Sequence, residues 1–278
     1  MASTKKGVEN FLNDSPSTAL IKVAEAKGST PREKGAWMLV SPKATFGTIG
    51  GGQLEFMAIA RAREAIVSPA SPARKNEASS VSLDIPLGPE IGQCCGGRVE
   101  LSIRHVDAGL RDELTAIAGA EDAAYPHVYL FGGGHVGHAL AATLSLLPLE
   151  VTIVETRADA LEGMPKAVTT RLTPMPEEAV RSAPAGSAFV VLTHDHALDF
   201  LIVGEALKRP DAAYVGMIGS KTKKATCKSW YLKTAGGTEE EFARLVSPIG
   251  GSALRDKRPA VIAALAAAEI MTALAKPE

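Results

Sequence analysis

The sequence predicts an α/β protein of two domains, a smaller mixed α/β N-terminal domain and a C-terminal domain with a doubly wound parallel sheet. Before residue 122, apolar and polar residues alternate as in the strands of an antiparallel or mixed sheet. After that point, short continuous apolar runs alternate with helical stretches, which is typical of buried parallel strands. We therefore predict domains at 1–122 and 123–278, with Pro126 marking the change of pattern.

Length, charge and cysteine content exclude several classes of protein. The chain has 278 residues, which is enough for two cores, and its net charge of −1 gives no electrostatic footprint for nucleic acid or an anionic membrane. No run of roughly 18 apolar residues predicts a spanning helix, and the N-terminus lacks the apolar segment of a signal peptide. The 3 cysteines form no disulfide framework. We expect a cytoplasmic protein that binds neither nucleic acid nor membrane.

The N-terminal domain is predicted to begin with a helix and to continue with strands around a second helix. The helices are expected at 8–15 and from 50 to 67, and the strands at 19–28, 36–42, 81–87 and 98–106.

Two loops of this domain are candidates for binding a ligand. The segment 29–32, with sequence STPR, lies in a turn between two predicted strands, and Gly50 opens a run of three glycines before the second helix. Gln53 and Glu55 then fall in the first turn of that helix. Glycines at a helix start admit a ligand close to the backbone, or they form only a sharp turn.

In the C-terminal domain a glycine motif stands between a predicted strand and a predicted helix. The predicted strands are 128–131, 151–154, 188–192 and 213–218. Gly132, Gly134 and Gly137 give the spacing that allows a tight turn, a close approach of phosphate and close helix–strand packing. Glu155 ends the next strand, where an acidic side chain can bond ribose hydroxyls. This combination predicts a Rossmann-like fold, which either binds a dinucleotide or is a scaffold that binds none.

Histidines follow two strands of the predicted parallel sheet. His135 and His138 lie on the glycine loop and the helix start, and His194 and His196 follow the strand 188–192. Open α/β sheets bind ligands at this end of their strands. The second pair is therefore a candidate for ligand binding or catalysis, for a metal site with a nearby carboxylate, or for local hydrogen bonding alone.

A second candidate anion site follows the strand 213–218. Gly219 precedes Ser220, which is a good N-cap for the next helix, and Lys221, Lys223 and Lys224 add positive charge there. A phosphate could bind at this helix N-terminus, or the segment is a capped helix with a solvated basic face.

The adjacent Cys94 and Cys95 lie in the glycine-flanked segment GQCCGG, 92–97. Adjacent cysteines rarely form a structural disulfide and do not have the spacing of a zinc site. They are buried and inert, or form a strained redox-sensing disulfide, or bind something soft such as a metal or activated sulfur. On a plain strand only one sulfur would face a given site, whereas a turn could present both.

Taken in order, these motifs resemble the XdhC/CoxI family of accessory proteins of xanthine dehydrogenase and related molybdenum hydroxylases. The resemblance runs from about residue 20 to 250 and rests on the segments GSTPREKGAWMLV, GGGQLE, GQCCGG, FGGGHVGHAL, VETR, THDHALD and GMIGSKTKKA.

The resemblance implies a chaperone for the molybdenum cofactor (molybdopterin) that has no turnover chemistry of its own. It implies that Cys94 or Cys95 holds the molybdenum and that the chain supports sulfuration and insertion of the cofactor. The implied partners are the molybdenum-binding subunit of xanthine dehydrogenase, a cysteine desulfurase, the molybdenum-insertion machinery and a second copy of the chain. The alternatives are an NAD(P)-dependent oxidoreductase with His194 or His196 as acid or base, and a redox-sensing dinucleotide-binding regulator.

Overall fold

The computed structural model describes residues 5–67, 81–88, 96–251 and 256–275. The chain divides into two compact units, Met1–Ala123 and Ala124–Glu278. The first unit contains α1 (Lys5–Asp14), β1 (Ala19–Lys27), β2 (Trp37–Val40), β3 (Thr45–Gly47), α2 (Gly52–Val67), β4 (Val81–Pro86), β5 (Arg98–His105) and α3 (Ala108–Ala123).

The first unit is an antiparallel sheet with helices on both faces. Its strand order is β3-β2-β1-β5-β4, and every neighbouring pair is antiparallel. Alternate residues of β1 lie on opposite faces of the sheet. Ile21 therefore packs in the core with α2, whereas Leu20 packs with α1 and α3. Both faces are apolar because each is covered by a helix.

The second unit contains a sheet whose strands are all parallel. Its elements are β6 (His127–Phe131), α4 (His135–Leu144), β7 (Glu150–Glu155), a single 3₁₀ turn (Asp159–Leu161), β8 (Thr169–Leu172), α5 (Glu177–Ser182), β9 (Ala188–Val191), α6 (His196–Leu207), β10 (Tyr214–Met217), α7 (Lys221–Lys233), α8 (Glu239–Ala243), β11 (Leu245–Val246) and α9 (Pro259–Leu274). The strand order is β11-β10-β9-β6-β7-β8. Read from the other edge, this is the order of a doubly wound dinucleotide-binding sheet.

Helices cover both faces of this parallel sheet. Leu140 of α4 and Ile270 of α9 pack in one core with Val128 and Val190. Phe131 and Phe189 face the other way and pack against α5, α6, α7 and α8. Strands buried on both faces are continuously apolar, which explains the sequence pattern that predicts them.

The predicted fold class is confirmed, and the runs 128–131, 151–154, 188–192 and 213–218 all contain strands. The sequence prediction lacked β3, β8 and β11, which lie at edges of their sheets. Three residues of β8 are exposed or half-exposed polar ones, so an edge strand of this kind does not form an apolar run. Among the helices in the described ranges, none is long and apolar enough to cross a membrane.

Candidate ligand-binding site

The order of the parallel strands brings three loops together at the edge formed by the carboxyl ends of the strands. The strand order reverses between the parallel neighbours β6 and β9, because the chain continues from β6 outward to β7 and from β9 outward to β10. The connections after these two strands therefore run to opposite sides. The loops after β6, β9 and β10 all leave the carboxyl ends of their strands. A crevice at this position is where open α/β sheets bind ligands.

The glycine loop after β6 is closely packed against its surroundings. Gly132 has φ +118, and a Cβ built on it would lie 2.7 Å from the Leu192 carbonyl oxygen. A Cβ on Gly137 would lie 2.1 Å from the carbonyl oxygen of Gly132. These two glycines are therefore required for the turn and for the contact between α4 and the loop, as the spacing predicts.

Gly134 differs from these two because it faces open space. No heavy atom lies within 4 Å of a Cβ built on it, and its φ of −73 is one that any residue can adopt. It is the N-cap of α4, and no described side chain caps that helix. The backbone N–H groups at the start of a helix attract anions, so the first turn of α4 is open to a phosphate.

The other two helices that start at this edge are capped by their own side chains. The Asp195 carboxylate accepts hydrogen bonds from the N–H groups of Ala197 and Leu198 at the start of α6. The Ser220 hydroxyl accepts one from the Lys223 N–H, which confirms the predicted N-cap of α7. Ser220 and Lys221 are exposed, so the charge of Lys221 faces solvent at this helix start.

Glu155 at the end of β7 is buried and holds the glycine loop. Its Oε2 accepts the Gly133 N–H at 2.8 Å and a long contact of 3.4 Å from the Arg157 guanidinium. Its Oε1 accepts the N–H groups of Thr156 and Arg157 and the Thr156 hydroxyl. Burial opposes ionisation of this carboxyl, but these hydrogen bonds outweigh it and hold its pKa below the usual range. Partners from its own chain thus occupy the carboxylate that the sequence predicts to bond a ribose.

The two histidines near the glycine loop have different environments. His135 is exposed in the first turn of α4, next to the open Gly134. His138 is half-buried, and its Nε2 lies 3.2 Å from the carbonyl oxygen of Ala160 in the 3₁₀ turn. The same carbonyl oxygen would lie 2.2 Å from a Cβ on Gly133. His138 therefore helps to hold the connection after β7 against the glycine loop, and His135 is the one available to a ligand.

His194 and His196 are both exposed at the carboxyl end of β9. His196 is the first residue of α6, and its ring stacks on Phe200 with 6.5 Å between centroids. Within the described ranges, no group of three or more His, Cys, Asp or Glu side chains is placed to hold a metal. Both rings are exposed and therefore accessible to a ligand or to solvent.

A buried ion pair joins the loops after β9 and β10. The Asp199 carboxylate is fully buried and forms an ion pair with the Lys223 ammonium group, whose side chain is 8% exposed. Asp199 also accepts the N–H and the hydroxyl of Thr193, at 3.1 and 2.7 Å. Lys223 donates in addition to the carbonyl oxygen of Ile218 at 3.0 Å. The pair therefore connects the end of β9, the end of β10 and the start of α7.

This arrangement corrects the alternative of a solvated basic face on α7. Lys223 points inward, and the missing side chain of Gly219 makes room for it, since a Cβ there would lie 2.7 Å from its Cδ. The Lys224 ammonium group donates to the carbonyl oxygen of Leu245 at 3.1 Å. Of the three lysines, Lys221 is the one whose side chain is exposed to a ligand. The hydrophilic sequence pattern did not show that one of them was an internal partner.

In the first unit, the candidate loops lie close together near the end of β1 and the start of β5. A Cβ on Gly50 would lie 2.5 Å from Cγ of Pro31, and one on Gly97 would lie 2.2 Å from the carbonyl oxygen of Ser29. Gly97 begins the return to β5 and accepts the N–H of Leu87 at 2.7 Å. The loop 28–32, the glycine run 50–52 and the end of the segment 92–97 are thus neighbours in space.

Two further predicted contacts of this unit take different positions. Gln53 is exposed in the first turn of α2. Glu55 is half-buried, and its carboxylate accepts the Ile49 N–H at 2.9 Å and the Thr48 hydroxyl. Burial alone would raise the pKa of Glu55. These hydrogen bonds and others from the backbone lower it by more, so the pKa lies below its usual value. Glu55 shapes the loop before α2, and Gln53 is available to a ligand.

The predicted metal-binding residues Cys94 and Cys95 lie outside the described residues. The third cysteine, Cys227, is fully buried in the core between the parallel sheet and its helices. Burial raises the pKa of its thiol to about 11. Cys227 is therefore a packing residue and takes no part in the site.

The fold and this site define a protein with a Rossmann-type parallel sheet and an uncapped helix start after its glycine loop, joined in one chain to an antiparallel α/β unit. Comparison with known families gives two matches. The family described as XdhC Rossmann domain matches residues 128–270, more than half of the chain, and the one described as XdhC and CoxI family matches residues 12–72. The chain belongs to the XdhC and CoxI family.

Two similar proteins extend this comparison. The uncharacterized protein YqeB of Escherichia coli strain K12 is 25% identical over 256 residues, which is 91% of this chain and 43% of YqeB. The chain thus spans less than half the length of that relative. A solved structure, described as a xanthine dehydrogenase (BH1974) from Bacillus halodurans, has a TM-score of 0.78 and 16% identity and covers 98% of this chain and 96% of its own. This second similarity shows a shared fold.

Proposed function

We propose that this chain is a chaperone for the molybdenum cofactor that takes part in the maturation of xanthine dehydrogenase or a related molybdenum hydroxylase. Family membership carries the proposal, since both units match XdhC families, and the geometry alone supports no more than the binding of a phosphate. The open first turn of α4 supports it, because molybdopterin ends in a phosphate that such a turn can hold without redox chemistry by the protein.

Each group of site residues has a distinct role in this proposal. The phosphate binds at the N–H groups that follow Gly134, while Gly132 and Gly137 allow the loop and the helix to approach each other. Glu155 holds that loop through the Gly133 N–H. The exposed side chains at the same edge contact the rest of the cofactor; these are His135, His194, His196, Ser220 and Lys221.

The sulfur chemistry is assigned to the first unit. A thiolate of Cys94 or Cys95 is a soft ligand that suits molybdenum, and the loops around Pro31 and Gly50 flank the end of the same segment. Gln53 is the exposed polar side chain beside the glycine run. In this proposal the protein binds and protects its cargo, and a cysteine desulfurase supplies the sulfur for the terminal sulfido ligand.

The proposed partners are the molybdenum-binding subunit of the client enzyme, a cysteine desulfurase and the molybdenum-insertion machinery. We propose further that the chain acts in the cytoplasm as a homodimer. No turnover chemistry of its own is required, because the open turn and a soft thiolate bind the cofactor without transferring electrons.

A complementation experiment tests the role in maturation. A client xanthine dehydrogenase is produced in cells that lack this chain, together with the wild-type chain, the double variant Cys94→Ala/Cys95→Ala, or Cys227→Ala as the matched control. We expect active dehydrogenase with the wild type and with Cys227→Ala, and much less with the double variant. Equal activity in all cells would contradict the proposal. Turnover of NAD(P)H by the chain alone, unaffected by the double variant, would favour an oxidoreductase instead.

A further inference from the structure

In dinucleotide-binding sheets of this strand order, side chains at the end of the strand equivalent to β7 contact the ribose. An acidic residue there bonds the ribose hydroxyls, or a nearby arginine binds a phosphate on the ribose 2′ oxygen. Here β7 pairs with β6, the strand that precedes the glycine loop, and it ends at Glu155. Arg157 lies two residues further along the chain. Both kinds of residue are present, and their contacts decide between them.

The Glu155 carboxylate has no acceptor left for a ribose. Its two oxygens accept from five donors of the chain itself, and a carboxylate offers about four lone-pair positions. The side chain is 5% exposed. Bonding a ribose would require breaking the hydrogen bonds that fix the glycine loop and the turn after β7.

Arg157 has the opposite character. Its backbone N–H is fixed to Oε1 of Glu155 at 3.2 Å, whereas its side chain is 44% exposed. Among the described residues, the one hydrogen bond recorded for the guanidinium is the 3.4 Å contact with Oε2 of Glu155. That oxygen also accepts the Gly133 N–H, so the guanidinium lies beside the glycine loop. Most of its five N–H donors are therefore available, in the planar arrangement that suits a phosphate.

The nearby carboxylate holds the Arg157 guanidinium only by a long contact of 3.4 Å, at the outer limit of a hydrogen bond. Three backbone N–H groups and a hydroxyl already donate to Glu155, and these neutral donors stabilise its negative charge without cancelling it. The Gly133 N–H and the Thr156 N–H are both 2.8 Å away, nearer than the guanidinium. The guanidinium therefore remains an attractive partner for a dianionic phosphate.

We propose that the glycine loop and the end of β7 bind a nucleotide with a 2′-phosphate, NADP(H), in preference to NAD(H), and that Arg157 determines this preference. This adds a second class of ligand to the proposed function and shares with it only the phosphate-binding turn at Gly134. Glu155 serves the site by positioning the loop, and Arg157 contacts the ligand.

Isothermal titration of the full chain with NADP⁺ and with NAD⁺ tests this inference. The variants are Arg157→Ala, Arg157→Lys and, as the matched control, Arg181→Ala, an arginine on α5 whose side chain is 48% exposed. We expect NADP⁺ to bind at least about ten-fold more tightly than NAD⁺, and Arg157→Ala to weaken NADP⁺ binding roughly ten- to hundred-fold with little effect on NAD⁺. Arg157→Lys should keep part of the preference, and Arg181→Ala all of it.

Three results would overturn the inference: equal affinity for the two nucleotides, binding of neither, or a preference that survives Arg157→Ala. A thermal melt of each variant shows that it is folded. The molybdopterin content of the purified chain is measured separately. A chain that carries molybdopterin but does not distinguish the nucleotides refutes the inference alone, whereas an NADP⁺-selective chain without molybdopterin refutes the proposed function alone.

Discussion

Replacing Lys223 by methionine tests whether the buried ion pair stabilises the ligand-binding edge of the parallel sheet. The substitution keeps the length of the side chain and removes its charge, and it leaves the fully buried Asp199 carboxylate with the Thr193 donors alone. Removing one partner of a buried pair costs about 3–5 kcal/mol, because the remaining charge is no longer compensated.

This loss corresponds to a large change in thermal stability. In a protein of 150–250 residues, about 1 kcal/mol shifts Tm by roughly 2–4 °C, so we expect Lys223→Met to lower Tm by roughly 10 °C. Differential scanning calorimetry measures this shift. The control is Lys228→Met on the same helix, which breaks an exposed pair with Glu239 and should change stability by about 0–1 kcal/mol.

The double variant Lys223→Met/Asp199→Asn separates the effect of charge from that of packing. Asparagine still accepts from Thr193 but carries no charge, so the double variant should recover much of the loss in Tm. The reasoning is refuted if Lys223→Met melts together with Lys228→Met, or if the second substitution adds to the loss.

Three further predictions concern single residues. Gly137→Ala should lower Tm because its methyl group would lie 2.1 Å from a backbone oxygen, whereas Gly134→Ala, facing open space, should melt like the wild type. Hydrogen bonds hold the pKa of Glu155 low, so the ionised carboxylate stabilises the folded protein. This contribution is complete above the unfolded-state pKa of about 4.3 and disappears as pH falls through the folded-state pKa. The Tm difference between wild type and Glu155→Gln should therefore narrow in acid. With its pKa near 11, Cys227 should react with a disulfide reagent at pH 8 only after unfolding, as measured in a variant without the other cysteines.

The fold class could be predicted from sequence because the burial of strands and the turn after β6 each leave a local pattern of residues. Parallel strands covered on both faces are continuously apolar. The spacing of Gly132, Gly134 and Gly137, which the strand–turn–helix geometry requires, identifies the loop after β6. The strand β8 could not be predicted in this way, since it lies at the edge of the sheet and only one of its four residues, Leu172, is apolar. Short edge strands carry little of the pattern that distinguishes a strand from a loop.

The side-chain partners in the site could not be predicted, because they depend on distances between residues far apart in the chain. Lys223 stands between Lys221 and Lys224 in a hydrophilic stretch of sequence, yet it pairs with Asp199 from another helix. Glu155 occupies the expected position, and its orientation toward the Gly133 N–H becomes visible only in three dimensions. A glycine neighbour such as Gly219 is the one local signal for the buried lysine, because it leaves the space that the side chain crosses.

The most direct test of the account is the molybdopterin content of the chain purified from cells that make the cofactor. The protein is denatured, and the released molecules are identified and quantified by mass spectrometry for the wild type and for the single variants Cys94→Ala, Cys95→Ala and Cys227→Ala. We predict bound molybdopterin in the wild type and in Cys227→Ala, and a loss that is much greater for one of the adjacent cysteines than for the other. Equal loss from both would indicate joint coordination. A wild-type protein without molybdopterin, or one whose content does not depend on Cys94 or Cys95, would contradict the central claim.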